Sequence, residues 1–247
     1  MTAAILQRPR VRGRSSSLDL LKWLAMLTML LDHLRYVWPQ AGGLLVLGRL
    51  AFPLYCLAIA ANVARSPAGE LFTPANGRYL GWLLVFAVLS EWPYQLYSSN
   101  EDSFNVLPTL ALGLLIAWGV HHKTRLSSGM AMAAAGLAYF LNAALMYGFV
   151  GALIPAALLL AIQRPGVLWL VPAALCLVVN MPSHILAGAA QFQLYALSFL
   201  GSAFLAPIFG LWLLRQNMSV QVWPVGRWGY WFYPGHLLVL HLVRKML

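Results

Sequence analysis

The sequence predicts an all-α integral membrane protein: a single polytopic bundle of eight to ten transmembrane helices, with nine the best fit, and a cytoplasmic N-terminus. Composition carries the first part of this prediction, because 61% of the 247 residues are hydrophobic and 9% are charged, whereas soluble domains contain about 25% charged residues. The mean hydropathy is +0.74. Short links join the apolar segments, so we expect residues 18–247 to form one domain behind a basic cytoplasmic tail, residues 1–17.

The helices are predicted from the length and composition of the apolar segments. A hydrocarbon core of roughly 30 Å requires about 20 apolar residues in a helix, and the first segment, LDLLKWLAMLTMLLDHLRYV, has that length. The sixth segment is short, and Pro234–Gly235 interrupts the ninth, which explains the range of eight to ten. The nine segments are residues 18–38, 44–64, 79–97, 104–120, 128–146, 148–162, 167–181, 192–214 and 230–247.

The orientation is predicted from the placement of the basic residues. Twelve of the sixteen lysines and arginines fall in alternate links, on the side that the positive-inside rule makes cytoplasmic. This distribution indicates membrane topology and argues against nucleic acid as a partner of a chain with net charge +10. Nine helices leave Arg244 and Lys245 on the outer side, against the rule. The twelve residues are Arg8, Arg10, Arg12, Arg14, Lys22, Arg65, Arg78, Lys123, Arg125, Arg164, Arg215 and Arg227.

Polar residues from distant segments fall at a similar depth, in the outer half of the predicted bundle. An ionisable side chain in the bilayer costs about 2.5–3.5 kcal/mol on insertion scales, so it persists where it pairs, lines a cavity or takes part in chemistry. Two of the six acidic residues of the chain belong to this layer. The alternative is an ion-pair network that only fixes helix packing. The layer comprises Asp32, His33, Arg35, Arg49, Glu91 and Asn105, and Tyr147 also falls near the outer surface.

Helix geometry separates the roles of Asp32 and His33. Adjacent residues point about 100° apart, so Asp32 does not readily orient His33, whereas Asp32 and Arg35 share a helix face. We therefore expect Asp32 to pair with Arg35 or Arg49, and His33 to find a partner on another helix, with Glu91 or a rotated Asp32 as candidates.

Among the other histidines, His236 is the second candidate for chemistry. It follows Tyr233-Pro234-Gly235 and enters the apolar run LLVL. A proline near a helix start leaves backbone N–H groups available to oxygen atoms. A buried packing histidine is the alternative interpretation, and His184 is expected in an outer loop. Cys56 and Cys176 lie in apolar runs, so neither a disulfide nor a metal site is predicted.

These segments together resemble the TraX family, in the same order and over nearly the whole chain. The resemblance rests on LDLLKWLAMLTMLLDHL, GRLAFPLYCLAIA, SEWPYQL, FNVLPTLALGLL, YGFVGALIP and FYPGHLLVL. The stretch QVWPVGRWGYW departs from the pattern, since family members carry a turn rich in Asn, Gly and Lys there. The positions that match the family are Asp32, His33, Arg49, Pro53, Glu91, Asn105, Tyr147, Gly148, Tyr233, Pro234 and His236.

The resemblance implies an inner-membrane acetyltransferase of conjugative pili, which acetylates the N-terminus of pilin. It also implies membership in a superfamily of transmembrane acyltransferases that move acetyl groups from cytoplasmic acetyl-CoA to acceptors on the far side of the membrane. The partners are then acetyl-CoA as donor, a pilin or envelope saccharide as acceptor, and the lipid bilayer; no metal is expected.

Acetyl transfer from a thioester requires a base and donors that hold the oxyanion. His33 is the expected general base, aided by Asp32 or Glu91, and His236 is grouped with the catalytic residues. Arg49 or Asn105 is expected to stabilise the oxyanion or orient the acceptor. Direct transfer and an acetylated His33 fit the sequence equally. Arg35, Asn105 and Tyr147 are predicted to bind the acceptor, and the residues predicted to bind the cofactor are Arg78, Lys123, Arg125, Arg227 and Tyr233.

Three alternatives to a pilin acetylase remain at this stage. An O-acetyltransferase acting on an envelope saccharide or glycolipid needs the same base. A proton-coupled transporter also needs buried acids and histidines, but it usually carries internal repeats, which this sequence does not display. A structural subunit of a pilus or conjugation machine requires no buried acid–base layer, so His33→Ala would leave its function intact.

Overall fold

Every regular element in residues 15–98 and 102–247, which the computed structural model describes, is helical. Two short 3₁₀ turns, Pro39–Ala41 and Val167–Trp169, join the α-helices. The α-helices are α1 (Ser16–Leu34), α2 (Leu44–Gly48), α3 (Ala51–Arg65), α4 (Pro74–Tyr97), α5 (Val106–His122), α6 (Arg125–Phe140), α7 (Gly148–Gln163), α8 (Leu170–Val178), α9 (Ser183–Ala190), α10 (Leu194–Leu214) and α11 (Trp228–Met246).

Helices occupy all the predicted apolar segments, with local differences. The interruption predicted at Pro234–Gly235 is wrong, because Pro234 lies inside the continuous helix α11. Segment 44–64 is divided into α2 and α3, because Arg49 and Leu50 form a turn between them. The prediction that His184 lies in an outer loop is wrong, because Ser183–Ala190 forms helix α9. Pro182 lacks an amide N–H and restricts the residue before it, so it ends the preceding helical run and lets a second helix begin. The predicted basic tail lies outside the described residues up to residue 14.

Within residues 15–98 and 102–247, two helical stretches are long and apolar enough to cross a membrane. They are Leu44–Arg65, with α2 and α3 taken together, and Leu194–Leu214; α8 and α9, bent by 108°, would make a third as a broken span or a re-entrant loop. The structure therefore supports a helical membrane protein. The nine crossings and the cytoplasmic N-terminus stay predictions.

Helices α1, α4 and α11 run in the same direction. At the start of α1 and α11, the rings of Trp23 and Trp228 lie 5.3 Å apart. At the other end, Arg244 donates hydrogen bonds to the carbonyl groups of Tyr97 at 3.0 Å and Leu96 at 3.4 Å. Arg244 thus caps the end of α4 at the level where α1 ends.

Residues 215–227, which we call the strap, link α10 to α11 and are tied to the first turns of α1. The Val225 amide donates to Asp19 Oδ1 at 3.2 Å, and Lys22 Nζ donates to the Val225 carbonyl at 3.4 Å. Trp23 Nε1 donates to the carbonyl of Trp223 at 3.0 Å. The strap contains residues 221–227, the first part of the stretch QVWPVGRWGYW, and α11 contains the rest. The first part of this stretch therefore lies over the start of α1.

Close helix contacts depend on small residues, as is common where helices pack in membranes. A Cβ atom at Gly113 on α5 would lie 2.7 Å from the Pro155 ring of α7. One at Gly210 on α10 would lie 2.7 Å from a methyl group of Leu57. These contacts bring α3, α5, α7 and α10 together around a continuous apolar core.

Candidate active site

Two histidines from opposite ends of the chain form the centre of the candidate site. His33 Nδ1 lies 2.7 Å from His236 Nε2, and the ring planes differ by 6°. His33 lies in the last turn of α1, and His236 lies in the middle of α11, where it is buried. The partner that His33 was expected to find on another helix is therefore His236, supplied by the last helix.

The protonation pattern of the pair follows from its acceptors. His236 Nδ1 lies 2.8 Å from the Phe232 carbonyl, which only accepts hydrogen bonds, so this nitrogen carries a proton. With a neutral ring, His236 Nε2 is then an acceptor, and His33 Nδ1 must donate to it. A neutral His33 therefore has its lone pair on Nε2. This tautomer is assigned from the hydrogen-bond network and makes Nε2 the basic atom of the pair.

Tyr97 contacts both the backbone and the ring of His33. The Tyr97 hydroxyl donates a hydrogen bond to the His33 carbonyl. The His33 ring lies 5.8 Å from the Tyr97 ring in an edge contact. Since Arg244 binds the Tyr97 carbonyl, the ends of α1, α4 and α11 are linked at this point.

A charged cluster adjoins the histidine pair. Asp32 Oδ1 lies 3.3 Å from Arg49 Nη2 and 3.5 Å from Arg35 Nε. The expected pairing of Asp32 with Arg35 or Arg49 is thus confirmed for both arginines. Asp32 Oδ2 lies 4.0 Å from His33 Nε2, too far for a hydrogen bond but close enough to stabilise a positive charge on that ring.

Gly48 permits the close approach of α2 to Asp32. A Cβ atom at position 48 would lie 2.5 Å from Asp32 Cβ and 2.6 Å from its Oδ1. Glycine is therefore required here by the space beside Asp32. Arg49, the next residue, occupies the turn between α2 and α3, from which its guanidinium reaches the carboxylate.

Two cavities have lining residues close in sequence to the histidine pair. The polar pocket, of about 200 Å³, is lined by Asp32, Arg35, Tyr36, Arg49, Tyr94, Ser98, Met146, Tyr147 and Val179. The apolar cavity, of about 150 Å³, lies toward the start of both helices and includes Met29, Tyr55, Asn62, Tyr79, Tyr230 and Tyr233 in its wall. Met29 and Tyr233 precede His33 and His236 by about one helical turn, and Asp32, Arg35 and Tyr36 of the polar pocket lie within three residues of His33 in the sequence. Neither histidine is itself in the lining of either cavity.

The predicted acceptor residues divide between the polar pocket and a separate cluster. Arg35 and Tyr147 line the polar pocket, and the Tyr147 ring stacks on Phe52 with centroids 3.7 Å apart. Asn105 instead begins α5, where its side chain caps the helix by accepting from Leu107 at 3.0 Å. Neither Asn105 nor Glu91 is in the lining of either cavity.

Glu91 is bound to the start of α5. Its Oε2 accepts hydrogen bonds from the Asn105 amide at 3.1 Å and from Asn105 Nδ2 at 2.6 Å. Its Oε1 accepts from Gln95 Nε2 at 2.7 Å. A carboxylate at a helix N-terminus is stabilised by the helix dipole, so this geometry favours an anchoring role for Glu91 over contact with His33.

Glu91→Gln is therefore expected to lower stability rather than chemistry. Three N–H groups donate to the Glu91 carboxylate, and the substitution removes its charge and one of its two acceptor oxygens. The free energy of unfolding should fall by about 1–2 kcal/mol, which lowers the unfolding temperature measured in detergent. The acetyl transfer that the TraX resemblance implies, measured well below that temperature, should stay within a few-fold of wild type. Glu70→Gln, at an exposed site, is the control. Severe loss of activity with an unchanged melting temperature would restore Glu91 to catalysis.

The residues predicted to bind the cofactor are also divided. Tyr233 lines the apolar cavity, and the exposed Arg78 and Arg227 adjoin lining residues, Tyr79 in one case and Gly226 in the other. Lys123 and Arg125 lie at the turn between α5 and α6, and neither they nor their sequence neighbours line the cavity. The geometry thus favours Arg78, Arg227 and Tyr233 within this group.

Asn180 is the functional candidate that the sequence reasoning missed. It lies at the bend between α8 and α9, is buried, and accepts from Arg49 Nη1 at 3.0 Å. The signal in the sequence was its position at the end of an apolar run, two residues before Pro182. Tyr97 and Gly48 were also missed, because each acts through a contact with a distant helix.

The fold and the site define a helical membrane protein with a buried histidine pair beside a carboxylate and two arginines. The family model described as TraX protein matches residues 17–244, and the chain belongs to the TraX family. This family is linked to pilin acetylation and to conjugation, so membership indicates a conjugation-associated role in pilin processing. No curated protein and no solved structure matches the chain.

Proposed function

We propose that this protein is an acetyl-CoA-dependent acetyltransferase of the bacterial inner membrane, and that it transfers the acetyl group to the N-terminal amine of a pilin. The observation that carries the proposal is the contact of His33 with His236 beside the Asp32 carboxylate, within about one helical turn of residues that line the polar pocket and the apolar cavity. Membership in the TraX family supports the choice of acceptor.

The proposed topology assigns one cavity to each substrate. With the N-terminus in the cytoplasm and nine crossings, the apolar cavity faces the donor side and the polar pocket faces the acceptor side. The cavity is lined mainly by apolar side chains, with Tyr55, Asn62 and Tyr79 among its polar groups, which suits the amide-containing arm of acetyl-CoA. Arg78 and Arg227, exposed next to its lining, are the proposed contacts of the cofactor phosphates.

His33 Nε2 is the proposed base for the transfer. It accepts a proton from the attacking amine while the new C–N bond forms at the thioester carbonyl, and Asp32 stabilises the resulting imidazolium. The arginine side chains of the pocket provide donors for the oxyanion. When the C–S bond breaks, the imidazolium returns its proton to the thiolate of coenzyme A, so the enzyme is unchanged after each cycle. The same lone pair also suits a route through acetylated His33.

The purified protein in detergent provides the direct test. Incubation with acetyl-CoA and a peptide carrying the pilin N-terminus should release free thiol and add one acetyl group, as measured by mass spectrometry. His33→Ala should lower the rate by roughly 10²- to 10⁴-fold, whereas His184→Ala, an exposed histidine of α9, should not.

A deletion strain identifies the acceptor in the cell. Loss of the acetyl mark from a pilin N-terminus supports the proposal, and its loss from an envelope saccharide or glycolipid would instead establish the O-acetyltransferase alternative. A strain that loses no acetyl mark would contradict both, and would favour a transporter or an assembly subunit.

A further inference from the structure

We propose that Asn180, at the bend between α8 and α9, is a positioning residue that fixes the guanidinium of Arg49 against Asp32. The catalytic consequence of this proposal rests on the proposed function, because Arg49 is one of its oxyanion or acceptor contacts. The fixing of Arg49 itself is a structural statement and can be measured separately.

The side chain of Arg49 is held from several sides. Its Nη2 donates to Asp32 Oδ1 at 3.3 Å, and its Nη1 donates to Asn180 Oδ1 at 3.0 Å. Its guanidinium carbon lies 5.1 Å from the centre of the Phe199 ring, within reach of a cation–π contact. Because the two nitrogen atoms bind different partners, the plane of the guanidinium is fixed as well as its position.

Asn180 is itself oriented by a second hydrogen bond. Its Nδ2 donates to the carbonyl of Cys176, one turn earlier in the chain, at 2.7 Å. This bond directs Oδ1 away from α8 and toward Arg49, and it assigns the two ends of the amide without ambiguity. Asn180 is 4% exposed, so water does not readily replace it as the partner of Arg49.

The bend between α8 and α9 provides a rigid support for this contact. Phe199 and Ile185 form a small apolar cluster with Leu45 and Val46 of α2, the helix that precedes Arg49. Val179, next to Asn180, lines the polar pocket. The bent pair and α10 thus form a wall that contacts both Arg49 and the helix leading to it. A site residue supported in this way can keep its geometry through a reaction cycle.

Asn180→Ala tests the proposal by its effect on turnover. The variant should lower kcat about 10- to 100-fold, as expected when a catalytic group is misplaced by about 1 Å, while KM for acetyl-CoA stays unchanged. Asn180→Asp keeps an oxygen for Arg49 and should retain more turnover than Asn180→Ala. Ser202→Ala is the matched control, because Ser202 binds the Val46 carbonyl at 2.6 Å in the same wall without touching Arg49.

A double-mutant cycle tests whether Asn180 acts through Arg49. Asn180→Ala should have little further effect on turnover in an Arg49→Lys background, because residues that act as a unit are not additive. A loss of the same factor in both backgrounds would show an independent role and overturn the proposal. Wild-type turnover in Asn180→Ala would also overturn it.

Chemical modification keeps the proposal testable if acetyl transfer is not the activity. Phenylglyoxal reacts with accessible guanidinium groups, and mass spectrometry of the modified peptides measures each arginine. Arg49 should be protected in the wild type and in Ser202→Ala, and should react several-fold faster in Asn180→Ala. Unchanged protection in Asn180→Ala would overturn the fixing of Arg49. A wild-type protein without transfer activity would overturn the proposed function alone.

Discussion

His236→Ala is expected to reduce acetyl transfer by roughly 10²- to 10⁴-fold, the range typical of general acid–base groups. The physical reason is the tautomer assigned to the pair. His236 Nε2 receives the proton on His33 Nδ1 and thereby keeps the lone pair of His33 on Nε2. Without this acceptor, His33 can adopt the other tautomer or rotate, and its basic nitrogen then leaves the side of Asp32.

The measurement is a comparison of His33→Ala, His236→Ala and the double variant in the purified protein. Because the two rings act as one unit, the double variant should be about as impaired as the worse single variant. His241→Ala, on the same helix, is the control for changes in α11. Full activity of His236→Ala with impaired His33→Ala would show that the pair is only a packing contact.

Gly48→Ala is expected to disrupt the charged cluster despite its small size. The added methyl group would lie 2.5 Å from Asp32 Cβ, so either α2 or Asp32 must move. Overpacking of this kind typically costs about 1–3 kcal/mol. We expect a lower unfolding temperature and severe loss of transfer, because the displaced carboxylate no longer meets Arg49 and Arg35.

Gly81→Ala on α4 is the matched control for this substitution. No atom lies within 4 Å of a Cβ at that position, and alanine is favoured over glycine in a helix interior by about 0.5–1 kcal/mol. The control should therefore be as stable as wild type or slightly more stable, with unchanged transfer. Equal behaviour of the two variants would mean that Asp32 tolerates displacement.

The meeting of Asp32 with Arg35 and Arg49 was predictable from the sequence, but the partners of the histidines were not. Hydropathy and charge placed Asp32, Arg35 and Arg49 in one layer, and the structure brings these three side chains together. Helix periodicity indicates which face a residue occupies, but not which helix lies against that face. The contact between His33 and His236 joins residues 203 positions apart, so no local pattern could indicate it.

The interpretation of Glu91 illustrates the same limit. Its predicted depth suggested a carboxylate that aids His33, yet its oxygen atoms bind Asn105 and Gln95. The signal for this role was the asparagine that precedes an apolar helix, because the start of such a helix attracts a carboxylate. Helix α9 was missed for a different reason, since its eight residues are too few to produce a periodic pattern.

The cap that Arg244 places on α4 has a practical consequence for protein engineering. A chain shortened after Val243 loses the guanidinium that binds the carbonyl groups of Leu96 and Tyr97. Without this contact, the backbone of Tyr97 is less well fixed, and the hydrogen bond from its hydroxyl to the His33 carbonyl is weakened. Affinity tags appended beyond Leu247 should be harmless, whereas proteolytic trimming of the last helical turn should weaken the proposed transfer activity through Tyr97 and His33.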